Sequence, residues 1–261
     1  MMTAHFWPNA HALVTGAGSG IGAATALVLG QAGVRVSIAG RRMDALKRMA
    51  ALLGDKAAAV VAIDVTDEAA VADGIARIEA EAGPIDILVN NAGKAGSAPF
   101  EKTDAALWSE MLASNLSSVF LVTHAVLPGM AQRGRGRVIN VASTAGLTGY
   151  AYVSAYVAAK HGVVGLTRAL ALEYARRGVT VNAVCPGYTD TPLVAEAAAN
   201  IVAKTGRSED EARAALAKVN PMQRLVTPEE VADTILWLAS AGASAINGQA
   251  VAVAGGEVLT G

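Results

Sequence analysis

The chain has 261 residues, of which 53% are hydrophobic and 16% charged, and its formal net charge at pH 7 is −1. This composition supports a large buried core, and α/β folds often reach this length as one domain. Because 21 Lys and Arg residues balance 22 Asp and Glu residues, nothing predicts binding to nucleic acid or to an anionic membrane surface.

The single cysteine, Cys185, excludes an intramolecular disulfide and fits a reducing, cytoplasmic environment. Its apolar surroundings, VNAVCPG, predict a small buried side chain. The N-terminal stretch lacks a charged region followed by a long apolar run, so we expect no signal peptide. No uninterrupted apolar run approaches the ~18 residues of a membrane span. The four histidines show no metal-ligand spacing, so we expect a soluble protein without a metal.

Short β-branched runs alternate with longer alanine-rich amphipathic stretches. The runs predict strands at residues 12–16, 35–40, 58–64, 86–93, 136–143, 179–187 and 249–256. The intervening patterns predict helices near residues 21–32, 42–53, 68–82, 104–131, 154–177 and 228–240. Strands that are apolar nearly throughout and separated by helices indicate a parallel sheet covered on both faces. We therefore predict one α/β domain over residues 1–261, with a doubly wound, Rossmann-type parallel sheet.

Residues 188–226 depart from this alternation, because they predict no strand. Ser208 and Glu211 form a capping-box pattern that starts one helix here. Thr227, followed by a first-turn proline and Glu230, starts the helix near residues 228–240 in the same way. An insertion at the carboxyl end of a sheet strand predicts a lid over a substrate site.

The segment TGAGSGIG, residues 15–22, follows the first strand and opens the first helix. Its glycines permit a tight turn and let backbone N–H groups and the helix N-terminus approach a pyrophosphate. In this strand–loop–helix context the motif predicts nucleotide binding, although a merely tight turn is the alternative. The predicted contacts are Gly16, Gly18, Ser19, Gly20, Ile21 and Gly22.

The end of the second strand predicts which nucleotide binds. An acidic side chain there would bind the ribose 2′-hydroxyl and repel a 2′-phosphate. This chain has Gly40 instead, followed by Arg41 and Arg42. Arginine matches a phosphate in geometry and charge, so we predict NADP(H) in preference to NAD(H). The alternative is that one or both arginines simply begin a solvated helix.

The segment SAYVAAKHG, residues 154–162, places Tyr156 and Lys160 on one face of a predicted helix. A free phenol has a pKa of ~10, too high for a good base near neutrality. Because a nearby ammonium favours phenolate, we expect Lys160 to lower the pKa of Tyr156. The alternative is a surface pair whose polar ends reach the solvent.

Across essentially its whole length the chain resembles the short-chain dehydrogenases/reductases. The matching motifs, in order, are TGAGSGIG, Asp64-Val65, NNAG (90–93), Asn115 in SNLSSVF, Ser143 in NVASTAG, YVAAK (156–160) and PGYTDT (186–191). The resemblance implies NAD(P)-dependent hydride transfer between a nicotinamide and a carbonyl or secondary alcohol. It also implies that the hydride is transferred from the pro-S face of the nicotinamide. It further implies a homotetramer, in which helices 104–131 and 154–177 would supply the contacts between copies.

The resemblance assigns roles to individual residues. Tyr156 would be the general acid in ketone reduction, and Lys160 would also bind the nicotinamide ribose. Ser143 would donate a hydrogen bond to the substrate oxygen, and Asn115 would hold a proton-relaying water. Each could instead be an ordinary capping or packing residue. The remaining implied cofactor contacts are Tyr156, Asp64, at the adenine, then Val65, Asn91, Ala92, Gly93, Pro186, Gly187, Thr189 and Thr191.

Two sub-families compete for the substrate. The stretch SAYVAAKHGVVGLT and the lid sequence look like 3-hydroxybutyrate dehydrogenases, which use NAD and hold a free carboxylate with polar or basic side chains. Ala95 and Val153 occupy the corresponding places here. The stretches ASTAGLTGY and VNAVCPGYTDTP look like ketoreductases of 3-oxoacyl or polyketide thioesters, which we favour. The expected substrate contacts are Ser143, Ala145, Tyr150, Tyr188 and Leu193.

Two readings from other classes remain. A nucleotide-sensing protein without catalysis could keep the same fold, but it has no need of the Tyr, Lys, Ser and Asn set. A mainly structural assembly subunit could use the long alanine-rich helices, and that role is compatible with an enzyme.

Overall fold

Within residues 5–259, which the computed structural model describes, seven parallel strands form one sheet. In chain order they are β1 (His11–Thr15), β2 (Arg35–Gly40), β3 (Ala57–Ala62), β4 (Ile87–Asn90), β5 (Gly136–Val141), β6 (Val179–Pro186) and β7 (Ala250–Val253). Their order in space is β3-β2-β1-β4-β5-β6-β7. The direction of winding therefore reverses between β1 and β4, which confirms the predicted doubly wound sheet.

Nine α-helices accompany the sheet in the described part of the chain. They are α1 (Gly20–Gln31), α2 (Met43–Leu53), α3 (Glu68–Ala82), α4 (Ala105–Leu112), α5 (Ser118–Gln132), α6 (Ser154–Tyr174), α7 (Pro192–Thr205), α8 (Glu209–Ala217) and α9 (Pro228–Ala239). The predicted capping boxes start α8 and α9 at Ser208 and Thr227.

Two apolar cores cover the two faces of the sheet. Because successive residues of a strand point to opposite faces, Val14 packs into one core and Leu13 into the other. The first core includes Leu29 of α1 and Ile235 of α9. The second includes side chains of α3, α5 and α6. This arrangement leaves the carboxyl edge of the sheet free for a site.

Several predicted strands end earlier than expected. The strand predicted at 86–93 ends at Asn90, and the one at 249–256 ends at Val253. In the second case the reason is backbone geometry, because Gly255 and Gly256 have φ angles of +57° and +90°. A residue in that region cannot continue an extended strand, so the chain turns after Val253.

The helix predicted at 104–131 is two helices joined by a π-helical turn, Ala113–Ser117. Such a turn inserts one extra residue into a helix and is frequent at functional sites. Asn115 lies inside it and is buried. Hydrophobic periodicity does not distinguish a single π turn from a continuous helix.

Residues 192–205 form α7, which the sequence analysis missed. Pro192 occupies its first turn, and Gly206 ends it with a φ angle of +70°, as expected for helix boundaries. Together α7 and α8 enclose a small apolar cluster of their own, which includes Val194 and Leu216. The insertion is thus a helical pair and not a single helix.

One helical stretch among the described residues, Ala105–Arg133, is long and apolar enough by composition to cross a membrane, with a mean hydropathy of 1.4. In the fold it is interrupted by the π turn. Its α5 part buries Val122 and Val126 against the sheet and α3. Its apolar composition is therefore that of a helix covering a parallel sheet.

A buried histidine makes stability depend on pH. The His11 side chain is 1% exposed, and its Nε2 lies 2.7 Å from the Ser37 hydroxyl. Burial lowers the pKa of His11 below its usual value near 6.5. Below that value the unfolded chain gains a proton that the folded chain does not, so stability falls as the pH falls.

We therefore expect His11→Gln to reduce the loss of unfolding free energy between pH 7.5 and 5.5. Urea denaturation at the two pH values measures this loss. His124→Gln, at an exposed position, should keep the wild-type dependence. An unchanged dependence in His11→Gln would show that other groups cause it.

Candidate active site

A cleft of about 950 Å³ lies at the carboxyl edge of the sheet, where strands β1, β4, β5 and β6 end. Its position at the reversal between β1 and β4 is where open α/β sheets bind their ligands. The cleft is lined by Gly16, Gly18, Ser19, Gly20, Ile21, Arg41, Arg42, Asp64, Val65, Asn91, Ala92, Gly93, Asn115, Ser143, Ala145, Tyr150, Tyr156, Lys160, Pro186, Gly187, Tyr188, Thr189, Thr191 and Leu193. Every predicted site residue except Gly22 thus borders it.

The glycine loop needs its glycines for conformation and for space. Gly16 has a φ of +67°, and a Cβ there would lie 2.9 Å from the Cα of Ala92. Gly20 has a φ of +55°. Gly22 lies beneath the loop, where a Cβ would collide with the carbonyl oxygen of Gly16. Gly22 does not line the cleft, and the lack of a side chain there lets α1 pack against the loop.

The loop offers donors to an anion. Ser19 caps α1 without a hydrogen bond from its side chain to the helix, so the first-turn N–H groups of α1 stay available. The Arg42 guanidinium donates to Ser19 Oγ at 3.3 Å and adds positive charge to the same place. This cradle fits the pyrophosphate of a dinucleotide.

The edge of the cleft beyond β2 and β3 combines two arginines with one acid. Arg41 and Arg42 are both exposed. Asp64 accepts hydrogen bonds from the backbone N–H and the hydroxyl of Thr66, at 3.0 and 2.7 Å. These bonds, helped by the charge of Arg41, lower the pKa of Asp64. The carboxylate is therefore ionised at neutral pH.

The wall between β1 and β4 is fixed by Thr15. Its hydroxyl oxygen accepts hydrogen bonds from the N–H groups of Asn91 and Ala92, at 3.0 and 3.1 Å. The Asn91 amide in turn donates to the carbonyl oxygen of Thr15 at 3.0 Å. A Cβ on Gly93 would lie 2.7 Å from Asn115 Oδ1, so glycine is needed where this wall meets the π turn.

The segment after β6 closes the cleft on the other side. The Thr189 hydroxyl donates to the carbonyl oxygen of Gly187 at 3.0 Å, and the Thr191 hydroxyl donates to that of Thr189 at 3.1 Å. A Cβ on Gly20 would lie 3.1 Å from the Thr191 methyl group. The glycine loop and the residues after β6 therefore meet across the cleft.

Tyr156 and Lys160 lie one turn apart on α6, as predicted. Lys160 is 5% exposed, and its Nζ lies 5.6 Å from the centre of the Tyr156 ring. The ammonium donates to the carbonyl oxygen of Val141, at the end of β5, at 2.9 Å. The pair is thus directed into the protein, and the alternative of a solvated surface pair is wrong.

The electrostatics of the pair differ from the expectation. Burial raises the pKa of Tyr156, and the neighbouring Ser143 side chain opposes this rise. Burial also lowers the pKa of Lys160 to about 8. The predicted lowering of the Tyr156 pKa is not found, because desolvation of the phenol dominates. In the protein without bound ligands, Tyr156 is therefore protonated at neutral pH. A protonated phenol can act as a proton donor.

Ser143 and Asn115 line the same cleft as this pair. Ser143 follows β5, and its hydroxyl oxygen accepts a hydrogen bond from the Ala145 N–H at 3.1 Å. The Asn115 amide donates to the carbonyl oxygen of Met111 at 3.0 Å, and its Oδ1 accepts from the Lys94 N–H at 3.3 Å. The four predicted catalytic side chains are thus gathered in one cleft from β5, α6 and the π turn.

Cys185 is buried, and burial raises the pKa of its thiol to about 11, so the thiol is protonated, as the apolar sequence predicts. Among residues 5–259, no group of three or more His, Cys, Asp or Glu side chains is arranged to hold a metal ion.

The substrate end of the cleft contains residues that the sequence analysis missed. One face of α7, with Val194, Glu196 and Ile201, lines it. The Tyr150 hydroxyl donates to a carboxylate oxygen of Glu257, from the segment after β7. An amphipathic pattern in 192–205 could have indicated α7, whereas nothing local to Glu257 indicates its position.

A glycine loop that fits a dinucleotide, beside a tyrosine and a buried lysine one helical turn apart, defines an oxidoreductase that uses a nicotinamide cofactor. The sequence model of the family described as short chain dehydrogenase matches residues 10–222. The chain belongs to this family, as the sequence motifs predict. It is an enzyme, and the reading as a non-catalytic nucleotide sensor is wrong.

Relatives with different names resemble the chain almost end to end. It is 40% identical to the acetoacetyl-CoA reductase of Rhizobium meliloti over 94% of this chain and 97% of that one. It is 44% identical to the cis-4-hydroxycyclohexanecarboxylate dehydrogenase of Sinomonas cyclohexanicum, over 94% and 95%. A variant of the actinorhodin polyketide ketoreductase, solved with NADPH, superposes with a TM-score of 0.92 at 40% identity, covering 95% and 97%.

Proposed function

We propose that the enzyme reduces a 3-oxoacyl thioester or a similar ketone to a secondary alcohol. The observation that carries this proposal is the cleft around Tyr156. Tyr156, as the proton donor, and Ser143 lie next to the substrate end of the cleft. That end is bordered by apolar side chains of α7 and by Tyr150 and Tyr188. The acetoacetyl-CoA reductase and the polyketide ketoreductase among the relatives support the same substrate class.

The residues would share the chemistry as follows. When bound, a nicotinamide cofactor would supply the hydride that adds to the carbonyl carbon. Tyr156 donates its phenolic proton to the carbonyl oxygen, and Ser143 stabilises the charge that develops there. Lys160 favours the phenolate that remains, and Asn115 holds the water through which the proton is restored. Asp64 and the glycine loop bind the nucleotide, while Asn91–Gly93 and Pro186–Thr191 orient it.

We propose NADP(H) as the preferred cofactor. Arg41 and Arg42 border the cleft at the end of β2. The strand ends in Gly40 and not in the acidic side chain that would favour NAD(H). Arg42 already donates to Ser19 in the glycine loop, which leaves Arg41 as the cation for a 2′-phosphate. NADPH in the ketoreductase structure supports this choice.

An alternative function is oxidation of a small hydroxy acid with NAD. The 44% identity to a hydroxycyclohexanecarboxylate dehydrogenase favours it. Ala95 and Val153 border the cleft, and neither offers a polar group to a free carboxylate, so we place this function second.

The helical pair α7–α8 is proposed as the substrate lid. It lies over the cleft through Leu193 and Leu216. Arg213 of α8 donates to Asp190 at 2.7 Å, which ties the pair to the segment after β6. Closure over the substrate would exclude water from the reacting carbonyl.

We also propose a homotetramer in the cytoplasm. Phe120 on α5 and Leu172 on α6 are 48% and 84% exposed, and both lie on the helices expected to contact other copies. Large exposed apolar side chains on neighbouring helices are typical of an interface.

A substrate screen tests the proposed function. Acetoacetyl-CoA, a tethered β-ketothioester analogue, free acetoacetate and cyclic ketones are each offered with NADPH, and NADPH oxidation is followed. We expect the highest kcat/KM with a thioester. Activity confined to free acetoacetate would refute this order.

A further inference from the structure

We infer that Glu257 is a specificity-determining residue whose negative charge disfavours ketones that carry a free carboxylate. The inference rests on the proposed function and narrows its substrate class to ketones without a free carboxylate near the carbonyl, which is reduced at Tyr156. Three observations support it. The segment after β7 places Glu257 beside the cleft, its carboxylate is hydrogen-bonded by Tyr150, and none of the ion pairs among the described side chains includes it.

Two glycines place Glu257 beside the substrate end of the cleft. Gly255 and Gly256 turn the chain after β7 with left-handed φ angles of +57° and +90°. A Cβ on Gly255 would collide with the side chain of Asn220. Asn220 is itself 4% exposed and donates to the carbonyl oxygen of Arg224 at 2.9 Å. The segment is therefore held against the loop that follows α8, and Glu257 is directed inward.

The Glu257 carboxylate is held from one side. One oxygen accepts a hydrogen bond from the hydroxyl of Tyr150, which lines the cleft. The other oxygen is buried and has no hydrogen-bond partner among the described residues. It lies against Gly187, where a Cβ would be 2.5 Å away. Burial and this carboxylate together raise the pKa of the Tyr150 phenol, so Tyr150 remains a neutral donor.

No cation compensates this charge among the described residues. None of the ion pairs among the side chains of residues 5–203 and 205–259 includes Glu257. Arg41 and Arg42 border the nucleotide end of the cleft, and Lys94 pairs with Glu110. Lys160 donates to a backbone carbonyl beside Tyr156.

Glu257 does not itself line the cleft, but it contacts the lining residues Tyr150 and Gly187. Among the described residues, the carboxylate that lines the substrate end is that of Glu196 of α7, which has the same sign. A substrate carboxylate in this region would be repelled by the negative charges of these side chains. The repulsion is screened less here than in water, because the wall of the cleft is partly desolvated. A neutral ester or thioester would meet no such repulsion. Discrimination of this kind is built from an unfavourable contact with the wrong substrate.

The test compares two ketones that differ in charge, ethyl acetoacetate and free acetoacetate, each with NADPH. In Glu257→Gln the amide oxygen can still accept from Tyr150, but the charge is gone. We expect the ratio of kcat/KM for the acid to that for the ester to rise about tenfold, with the value for the ester within about twofold of wild type. Glu257→Ala removes the charge independently and must change the ratio in the same direction.

Glu229→Gln is the matched control. Glu229 is exposed in the first turn of α9 and does not line the cleft, so the substitution removes the same single charge outside it. The inference is overturned if the acid-to-ester ratio of kcat/KM is unchanged in both Glu257 variants, or if it changes equally in the control. The proposed function is still upheld in that case if the wild type reduces the ester. If the wild type reduces neither ketone nor acetoacetyl-CoA, the proposed function fails and this inference fails with it.

Discussion

Replacing Tyr156 by phenylalanine should lower kcat/KM for ketone reduction by about 10³-fold, within the range measured for loss of a general acid. The substitution removes one hydroxyl from a ring that lines the cleft beside Ser143. The Ser143 side chain hydrogen-bonds to Tyr156 and opposes the rise of its pKa, so the proton that is lost is the one held next to Ser143. Cofactor affinity should stay within about twofold, since the substitution keeps the ring and removes only the hydroxyl.

Steady-state kinetics with acetoacetyl-CoA, together with NADPH binding by fluorescence, measure the two effects separately. Tyr174→Phe makes the same chemical change near the end of the same helix, away from the cleft, and should leave kcat/KM unchanged. Near-wild-type turnover by Tyr156→Phe would contradict the proposed mechanism.

The double variant Arg41→Ala, Arg42→Ala should lower kcat/KM for NADPH by about 100-fold. A hydrogen bond to a charged group contributes roughly 1.5–3 kcal/mol, and a 2′-phosphate would lose the cations that border the end of β2. kcat/KM for NADH should change by less than about threefold, because NADH has a hydroxyl in place of that phosphate.

Arg48→Ala is the control for this pair. Arg48 is exposed on α2 and does not line the cleft, so its loss should affect neither cofactor. A wild-type kcat/KM that is larger with NADH, or an equal loss with both cofactors in the double variant, would overturn the proposed preference for NADP(H).

Local sequence patterns were sufficient to predict most of the framework. Buried parallel strands are apolar nearly throughout, and the capping signals at Ser208 and Thr227 depend only on neighbouring residues. The positions of Tyr156 and Lys160 follow from helical spacing. Their membership of a catalytic site follows from the resemblance, because nothing within α6 specifies which strand ends it faces.

Features that depend on tertiary packing were not predicted. The π turn at Ala113–Ser117 breaks no hydrophobic pattern, and the position of Glu257 depends on the turn made by Gly255 and Gly256. The raised pKa of Tyr156 is a consequence of burial, whereas the spacing of Tyr156 and Lys160 indicated only the opposing effect of a nearby ammonium.

Transfer of deuterium from NADPH labelled at the 4-pro-S position tests the central claim most directly. Mass spectrometry of the alcohol formed from acetoacetyl-CoA should show one deuterium on the new carbinol carbon, and cofactor labelled at the 4-pro-R position should give none. A reduced product without deuterium, or one labelled only from the pro-R position, would contradict the proposed hydride transfer at this site.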